Sequence, residues 1–525
     1  MTTATHPPEL AEPYLLGWLS SIGLDVEYVR GRGNVLFLRE PDGTEVPVVD
    51  FVGGYGSLIF GHNHPDLVAT AKELLDASSP VHAQFSRHPY ANDVANALSA
   101  ILQRELNIDE PFIAVFANSG AEAVEVAIKH AELDRVLRLG EIRAAITGNT
   151  AQARESVVAA AVVPDATSLA RFGVTGSDPV TAFDALVAEL DRHNDAVMQR
   201  PPQFLALEGS FHGKLAGSVQ LTHSEAYRTP FKALAAQARF IPRDRPEAIA
   251  ATVAQEPAHA FDVVVADGVA RVVERRLPVF TAFLVEAIQG EGGINPITAE
   301  FAAELQRVCA DFDCPVIVDE IQSGMGRTGA FLASSHIGLR GDYYTLAKSL
   351  GGGIAKTAVM LIRQHRHRPE FEFVHSSTFA KDSFSCGIAL KVLEMLEAGD
   401  GRAYRLARER GDRMAAMLAA VRSAYPDVVR DVRGRGLMLG LEFADQSGAA
   451  APAIREAAPL LGYVLAGYLL RKHRIRVFPT ASNVNTLRFE PSVELLDSEI
   501  DQLESGLRAV CDLLHGQRGE LLEVH

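Results

Sequence analysis

The sequence predicts an α/β protein: a large, mostly parallel sheet with helices on both faces. Three observations predict it. Short apolar runs without polar alternation recur at Phe112–Phe116, Phe204–Leu207, Val263–Val265, Phe283–Ile288 and Val316–Val318. Strands of that kind are buried on both faces, as in a parallel sheet under two helical layers. Helical patterns such as Ala299–Ala310 lie between some of them. Finally, hydrophobic residues are 47% and charged residues 22%, values that exclude a disordered or fibrous chain. With 525 residues, roughly three times a ~150-residue domain, a sizeable core is assured.

The elements follow in order. Val35–Leu38 and Val46–Phe51 read as strands joined by the turn Pro41-Asp42-Gly43. Gly53-Gly54-Tyr55-Gly56 is a flexible loop that leads, past Gly61-His62-Asn63-His64-Pro65, to a helix over Asp66–Leu75. Phe112–Phe116 is followed by Ala117-Asn118-Ser119-Gly120 and a helix over Ala121–Leu137. Residues 133–203 interrupt the rhythm, with a turn at Gly173–Asp178 and a helix near Ala182–Val197, and are expected to be a peripheral helical insertion. From about 390 the chain turns helical, then strand-like at Gly440–Phe443 and Arg474–Phe478. The final helix, about Val493–Leu514, carries Ile500, Leu503, Leu507, Val510 and Leu514 on one face, a packing stripe.

Charge and cysteine usage exclude several function classes. Lys and Arg number 50 and Asp and Glu 66, a net charge of −16. Such a chain lacks the cationic excess that nucleic acid or an anionic membrane surface demands. Four cysteines (Cys309, Cys314, Cys386 and Cys511) are too few for a disulfide scaffold and read as reduced thiols of a cytoplasmic protein. The N-terminus MTTATHPPEL lacks the basic and apolar regions of a secretory signal. No apolar run approaches the ~20 residues of a bilayer span. Cys309 and Cys314 have the wrong spacing for a zinc pair, and His62 and His64 lack a third ligand, so no metal is expected.

Four segments carry chemistry. Asn118-Ser119-Gly120-Ala121-Glu122-Ala123 stands where a strand gives way to a helix. Small residues there let backbone N–H groups approach an anion, which the helix dipole favours, although most such loops are only tight turns. Val316-Ile317-Val318 delivers Asp319 to a strand's C-terminal edge, where open α/β sheets place ligands; an Asp there otherwise caps the next helix. Lys348 follows the largely apolar Thr345-Leu346-Ala347 and precedes Gly351–Gly353. A lysine in a partly desolvated site becomes an amine nucleophile, whereas a lone lysine more often snorkels to the surface. Phe211-His212-Gly213 places an aromatic at another strand edge, to stack on a planar ring or simply to fill the core. Each segment alone is ambiguous. Together they are the parts pyridoxal phosphate requires: a phosphate cradle, a stacking aromatic, an Asp for the pyridinium nitrogen and an amine nucleophile.

On these motifs the chain resembles the class III aminotransferases, the fold-type-I pyridoxal-phosphate enzymes that include ornithine, acetylornithine and 4-aminobutyrate aminotransferases. The resemblance spans about Val35 to Pro491 through FANSGAEAVEVAIKHA, FHG, FLVEAIQGEGG, VIVDEIQSGMGRTG, TLAKSLGGG, HSSTF, RGRGLMLGLEF and LRFEPS, in that order. It implies a large cofactor domain over 60–389, carrying the 133–203 insertion, and a small α+β domain from both termini, 1–59 and 390–525. It implies that Lys348 forms the Schiff base and shuttles the proton, and that Asp319 pairs with the pyridinium nitrogen. Ile321 and Phe211 would cover the two ring faces, with His212 in the same cofactor-binding motif. Gln322 would hydrogen-bond near the ring hydroxyl, and Ser119, Gly120 and Ala121 would hold the phosphate. Thr378, with Ser377, would reach the phosphate of the neighbouring subunit, making a homodimer with shared active sites. Tyr55, Lys214, Glu291 and Arg488 would face the substrate, the acidic member of the last pair masking the arginine during one half-reaction. Glu286 would lend structural support.

Three departures stand out. Where the family often has FHGRT, this chain has Phe211-His212-Gly213-Lys214-Leu215, and lysine cannot make the planar two-pronged clamp of arginine. After Thr378-Phe379 the family commonly continues Gly-Gly-Asn-Pro; here Ala380-Lys381-Asp382-Ser383 follows. The family's Glu-Pro is Glu286-Ala287. The first reading is an aminotransferase moving an amino group between an amine or amino acid and a keto acid or aldehyde. The departures keep a second reading open, in which the same cofactor serves an aminomutase, a decarboxylation, or a β/γ-elimination or replacement. A retired fold kept for binding or regulation is disfavoured, since Lys348, Asp319, Gln322 and Thr378 are all present.

Overall fold

The structure is a computed structural model that describes residues 11–82, 86–256 and 259–522. Its central sheet has seven strands: Phe112–Ala117 (β1), Gln203–Leu207 (β2), Ala238–Ile241 (β3), Phe280–Val285 (β4), Val316–Asp319 (β5), Tyr343–Leu346 (β6) and Ala358–Arg363 (β7). Their order across the sheet is β1-β7-β6-β5-β4-β2-β3. β7 runs antiparallel to both its neighbours, and every other adjacent pair is parallel.

Burial explains why these strands show no polar alternation. Val316 and Val318 join one core with Phe283, Val285 and Tyr344. Ile317 joins the other, with Leu284, Tyr343 and Met360. Successive side chains do alternate between faces, but helices cover both, so both positions are apolar. Helices Ala91–Leu106 and Ala299–Asp311 send Leu98, Leu102, Phe301 and Leu305 into the first core. The first turns of helix Gly120–Val158 send Ala123, Val124 and Ala127 into the second.

The run Val263–Val265 does not belong to this sheet. It lies in strand His259–Ala266, which forms an antiparallel hairpin with Val269–Arg276 and, through it, meets Val163–Pro164. Asp267 and Gly268 close the hairpin, both at positive φ, 51° and 72°, as a tight hairpin turn requires. The helix expected to end near Leu137 continues to Val158, 39 residues in all from Gly120. Its far half, helix Pro179–Met198 and the hairpin share a separate core of Ala153, Val157, Phe183, Leu186, Leu190, Phe261, Val263 and Ala270. This satellite core therefore draws on two stretches of sequence, 153–190 and the hairpin at 259–276.

Both chain ends build two further four-stranded sheets. Tyr28–Arg32, Val35–Arg39 and Glu45–Asp50 form a meander that Ile475–Arg476 extends in parallel. Val429–Arg435, Met438–Phe443, Thr486–Phe489 and Phe478–Pro479 form another. The strand expected over Arg474–Phe478 is thus two short strands on different sheets. The last helix spans Asp497–His515, with Ile500, Leu503, Leu507, Val510 and Leu514 buried. It begins later than expected: Val493 instead donates its N–H to the Ile59 carbonyl at 2.9 Å, outside the helix.

Against the expectation of no membrane-length run, Pro452–His473 is long and apolar enough by length and composition. Half of it is buried, it breaks into Pro452–Ala457, Ala458–Leu460 and Leu461–His473, and Leu461, Leu465 and Leu469 enter the main core. That is the placement of a core helix.

Candidate active site

The C-terminal ends of β1, β2, β4, β5 and β6 open onto one cavity of about 520 Å³. This is where parallel α/β sheets gather ligands, because the strand ends and helix N-termini converge there. Ser119, Gly120, Ala121, Phe211, His212, Glu291, Asp319, Ile321, Gln322 and Lys348 all line it. Tyr55, Lys214, Thr378 and Arg488 lie outside that lining.

Asp319 ends β5 and is buried. Its Oδ1 accepts from the Ile321 N–H at 3.1 Å and from the Thr345 hydroxyl at 3.2 Å, and its Oδ2 lies 2.8 Å from His212 Nδ1. Burial alone would disfavour a charged His212. The bond to Asp319 and the charges of Asp319 and Glu286 outweigh it and raise the imidazole above its ordinary value. Among the described residues His212 Nε2 is buried without a partner. Glu286 follows β4 and accepts from the Phe211 N–H at 3.0 Å and the Gly290 N–H at 3.2 Å. Burial, against the opposing pull of His212, pushes its carboxyl up to about 7.

Ser119 caps helix Gly120–Val158. Its hydroxyl accepts from the Glu122 N–H at 3.3 Å, while the Glu122 carboxylate accepts from the N–H groups of Asn118 and Ser119 at 2.7 and 2.9 Å. Such a box fixes the first turn. Among the described residues no hydrogen bond engages the N–H of Gly120 or Ala121, so these donors face the cavity with the positive end of the helix dipole. Gly120 is required for a steric reason: a Cβ there would stand 2.9 Å from Ile321 Cγ2. Asn118 also donates to the Ser377 hydroxyl at 2.9 Å, which ties the cradle to the loop bearing Thr378. Thr378 itself is exposed on that loop.

Lys348 follows β6 after Ala347 and holds φ at 48°, a left-handed conformation that turns its side chain into the cavity wall. It keeps partial access to the cavity. Protein otherwise surrounds it, and burial draws its ammonium below the ordinary lysine value, opposed by Glu490 and Glu291 and assisted by Arg488. Desolvation of this kind produces a usable amine.

Arg488, almost wholly buried, is closed by Glu291: Nη2 lies 2.6 Å from Oε2, and Nη1 bonds Oε1. Burial would raise the Glu291 carboxyl, but the charge and hydrogen bonds of Arg488 hold it below its ordinary value. Tyr55 presents its ring 4.8 Å from the Arg488 guanidinium and is 42% exposed, so it stands at the mouth. Lys214 places its ammonium 4.0 Å over the Tyr227 ring. Phe478 lies 6.3 Å from Tyr55 and 6.5 Å from Tyr463, which makes the mouth aromatic.

Two features lie beyond the sequence reading. The aromatic mouth draws on Tyr227, Tyr463 and Phe478, which are far apart in the chain and carry no local signal. Glu490 is fully buried beside the cavity, its carboxylate accepting from Gln322 Nε2 at 2.8 and 3.0 Å. Here a signal exists: two residues beyond Arg488 along a strand is the same face. Among the described residues, no group of three or more His, Cys, Asp or Glu is arranged to hold a metal ion. His62 instead bonds Asp50 at 2.9 Å, and His64 accepts from the Asp66 N–H.

Comparison with known proteins agrees with this geometry. The family model for class-III aminotransferases matches residues 21–485. Among solved structures, ornithine aminotransferase from Toxoplasma gondii is similar at a TM-score of 0.65 and 20% identity, over 94% of this chain and 92% of that one. An amine transaminase from an uncultivated Pseudomonas species, solved with pyridoxal phosphate as the internal aldimine, gives 0.65 and 20% over 97% and 98%. A thermostable omega transaminase engineered for the synthesis of enantiopure bulky amines gives 0.68 and 18% over 98% of each chain. At these identities the likeness is one of fold.

Proposed function

The chain belongs to the class-III aminotransferases, pyridoxal-phosphate enzymes that move an amino group between an amine or amino acid and a keto acid, and on that premise we propose that Lys348 holds the cofactor and carries the proton. The residues present fit the group. The free N–H groups of Gly120 and Ala121 suit a phosphate. Asp319, fixed by His212 and Thr345, suits a cationic ring nitrogen. Ile321 and Phe211 suit the two ring faces, and Gln322 the ring hydroxyl. When bound, pyridoxal phosphate supplies an electron sink for the pair released at the substrate's reacting carbon.

Every other task falls to side chains. Asp319 keeps the ring nitrogen protonated by charge, and His212 orients that carboxylate. Lys348, held low in proton affinity by burial, takes the proton from the reacting carbon and returns it. Glu291 closes Arg488 while an amine donor occupies the mouth, and leaves it open to a dicarboxylic acceptor. Lys214, standing over Tyr227, attracts the substrate carboxylate as a point charge. Aldehyde acceptors reach the same mouth.

The assembly proposed is a homodimer whose partner loop brings Thr378 to the phosphate. Phe373, Val374 and Phe379 support it, being 89%, 68% and 65% exposed around that residue; bare apolar clusters of this kind mark interfaces. A cytoplasmic location is proposed from the acidic balance and four free buried thiols.

The observation that carries this reading is the convergence of Lys348, Asp319 and the Ser119–Ala121 cradle on one cavity. Purified protein should be yellow, and borohydride should trap the cofactor on it. Lys348→Ala should abolish that adduct, and an amine donor alone should convert the wild-type cofactor to its amino form. A wild type that binds pyridoxal phosphate without a trappable adduct overturns the assignment.

A further inference from the structure

Glu490 is a fully buried carboxylate whose direct hydrogen-bond donor, among the described residues, is the neutral amide of Gln322. A buried carboxylate needs compensating positive charge, and here three cations supply it without bonding it. Arg488 Nη1 stands 4.0 Å away. Arg327 lies close enough for mutual influence, yet spends its two terminal nitrogens on the carbonyls of Gly56, Leu437 and Pro491. The third cation is Lys348: its neighbour Ser349 donates at 2.9 Å to the carbonyl of Gly56, the residue that packs on Glu490, and Glu490 opposes the burial that draws the lysine's proton affinity down.

The seat is built. A Cβ on Gly56 would meet Glu490 Oε1 at 3.0 Å and Gln322 Cγ at 3.6 Å, and one on Gly53 would meet the Glu490 carbonyl at 2.1 Å. The glycine loop thus presses onto this carboxylate, and Gln322 has little freedom. The Gln322 carbonyl end is fixed as well, because a Cβ on Gly290 would stand 2.1 Å from its Oε1.

We propose that Glu490 is a positioning residue of this active site: it fixes the Gln322 amide and supplies the counter-charge for the nitrogen of Lys348. Glu291 serves a different end, since its charge is spent on Arg488. Glu490 keeps Gln322 aimed at the cofactor's ring hydroxyl and biases Lys348 toward holding its proton between transfers. The proposal rests on the reading of Lys348 as the cofactor-bearing residue.

The test uses the holoenzyme. The visible band of bound pyridoxal phosphate changes with the proton on the Lys348 nitrogen, so its pH midpoint reports the charge around that atom. Glu490→Gln removes the charge and keeps a hydrogen-bonding group; the midpoint should fall by about one pH unit or more, as for loss of an opposite charge at close range. Glu490→Asp, which keeps the charge, should hold the midpoint near the wild-type value. Glu490→Ala should lower the midpoint likewise and weaken cofactor binding about tenfold, the loss of one hydrogen-bonded anchor; it serves also if the Gln variant does not fold. A normal band with an unmoved midpoint in both the Gln and Ala variants overturns the proposal and leaves a merely structural partner of Arg327. A wild type with no cofactor band overturns instead the reading of Lys348.

Discussion

Glu291 closes Arg488 from both terminal nitrogens, in a pair that water scarcely reaches. Among the described residues Arg488 Nε is buried without a partner, so the guanidinium still has a bond to gain. Breaking a buried pair by removing one member leaves an uncompensated charge, at a cost of about 3–5 kcal/mol. A substrate carboxylate can meet that cost where water cannot. Glu291→Gln should therefore lower stability to chemical denaturation by about 3 kcal/mol. It should also lower KM for a dicarboxylic keto acid roughly tenfold, the worth of one charge-assisted bond. A monocarboxylic acceptor serves as control, and equal changes for the two acceptors would count against the gate.

The Glu286 carboxyl predicts a pH dependence. Its value is raised from 4.5 to about 7, with burial the main cause. The folded protein then keeps a proton that the unfolded chain has released, so this contribution to stability is whole below about pH 4.5 and is lost as pH rises toward 7. The size is about 3 kcal/mol for a shift of this extent. Glu286→Gln removes the titrating group while keeping an acceptor for the Phe211 N–H. Urea unfolding of cofactor-free protein should show wild type losing about 3 kcal/mol relative to the variant between roughly pH 4.5 and 8. A constant difference across that range would sink the assignment.

The site was legible in sequence wherever one short segment carries one function. Strand β5 brings Asp319 to its edge and β6 brings Lys348, so local pattern and three-dimensional place coincide. Gln322 was legible for the same reason. Glu490 was legible only in its place, on the face it shares with Arg488; its meaning depends on Gly56, Gln322 and Lys348, which only the fold assembles. The strands show a similar limit. Tyr343–Leu346 and Ala358–Arg363 are as apolar as the runs that were read, whereas Ala238–Ile241 carries Arg239 in a four-residue strand and gives no such signal. Val263–Val265 misleads in the opposite sense. Val263 is buried in the cluster with Phe183 and Val157 whereas Val265 is 44% exposed, and a short apolar run does not say which core, if any, it enters.

That separate core gives a third prediction. Phe183 is fully buried in the satellite cluster with Leu186 and Phe261, remote in sequence from every cavity residue named above. Phe183→Ala should cost about 3–5 kcal/mol where it is felt. Hydrogen exchange should rise across residues 150–198 and 259–276, while the pyridoxal-phosphate spectrum stays unchanged. Loss of the cofactor band together with the satellite's protection would show that the satellite supports the site instead of standing apart from it.

The loop bearing Thr378 gives the last prediction. Phe379 is 65% exposed and stacks on His82 with ring centroids 5.0 Å apart, in line with Val81 at 46% exposure. Phe373 and Val374 extend the apolar area. Asn118 bonds Ser377 of the same loop, so the surface that would meet a partner is tied directly to the turn proposed to hold the phosphate. A charge placed in this patch opposes burial against a second copy far more than it disturbs the protomer, whose own core does not include Phe379. Phe379→Asp should shift the sedimentation coefficient from dimer toward monomer and weaken pyridoxal-phosphate binding in the same protein-concentration range. Phe231→Asp, on an exposed aromatic elsewhere, should do neither. If Phe379→Asp sediments as wild type does, the interface lies on another face and Thr378 serves its own protomer; if it dissociates while cofactor affinity holds, the subunits meet there without sharing the phosphate site.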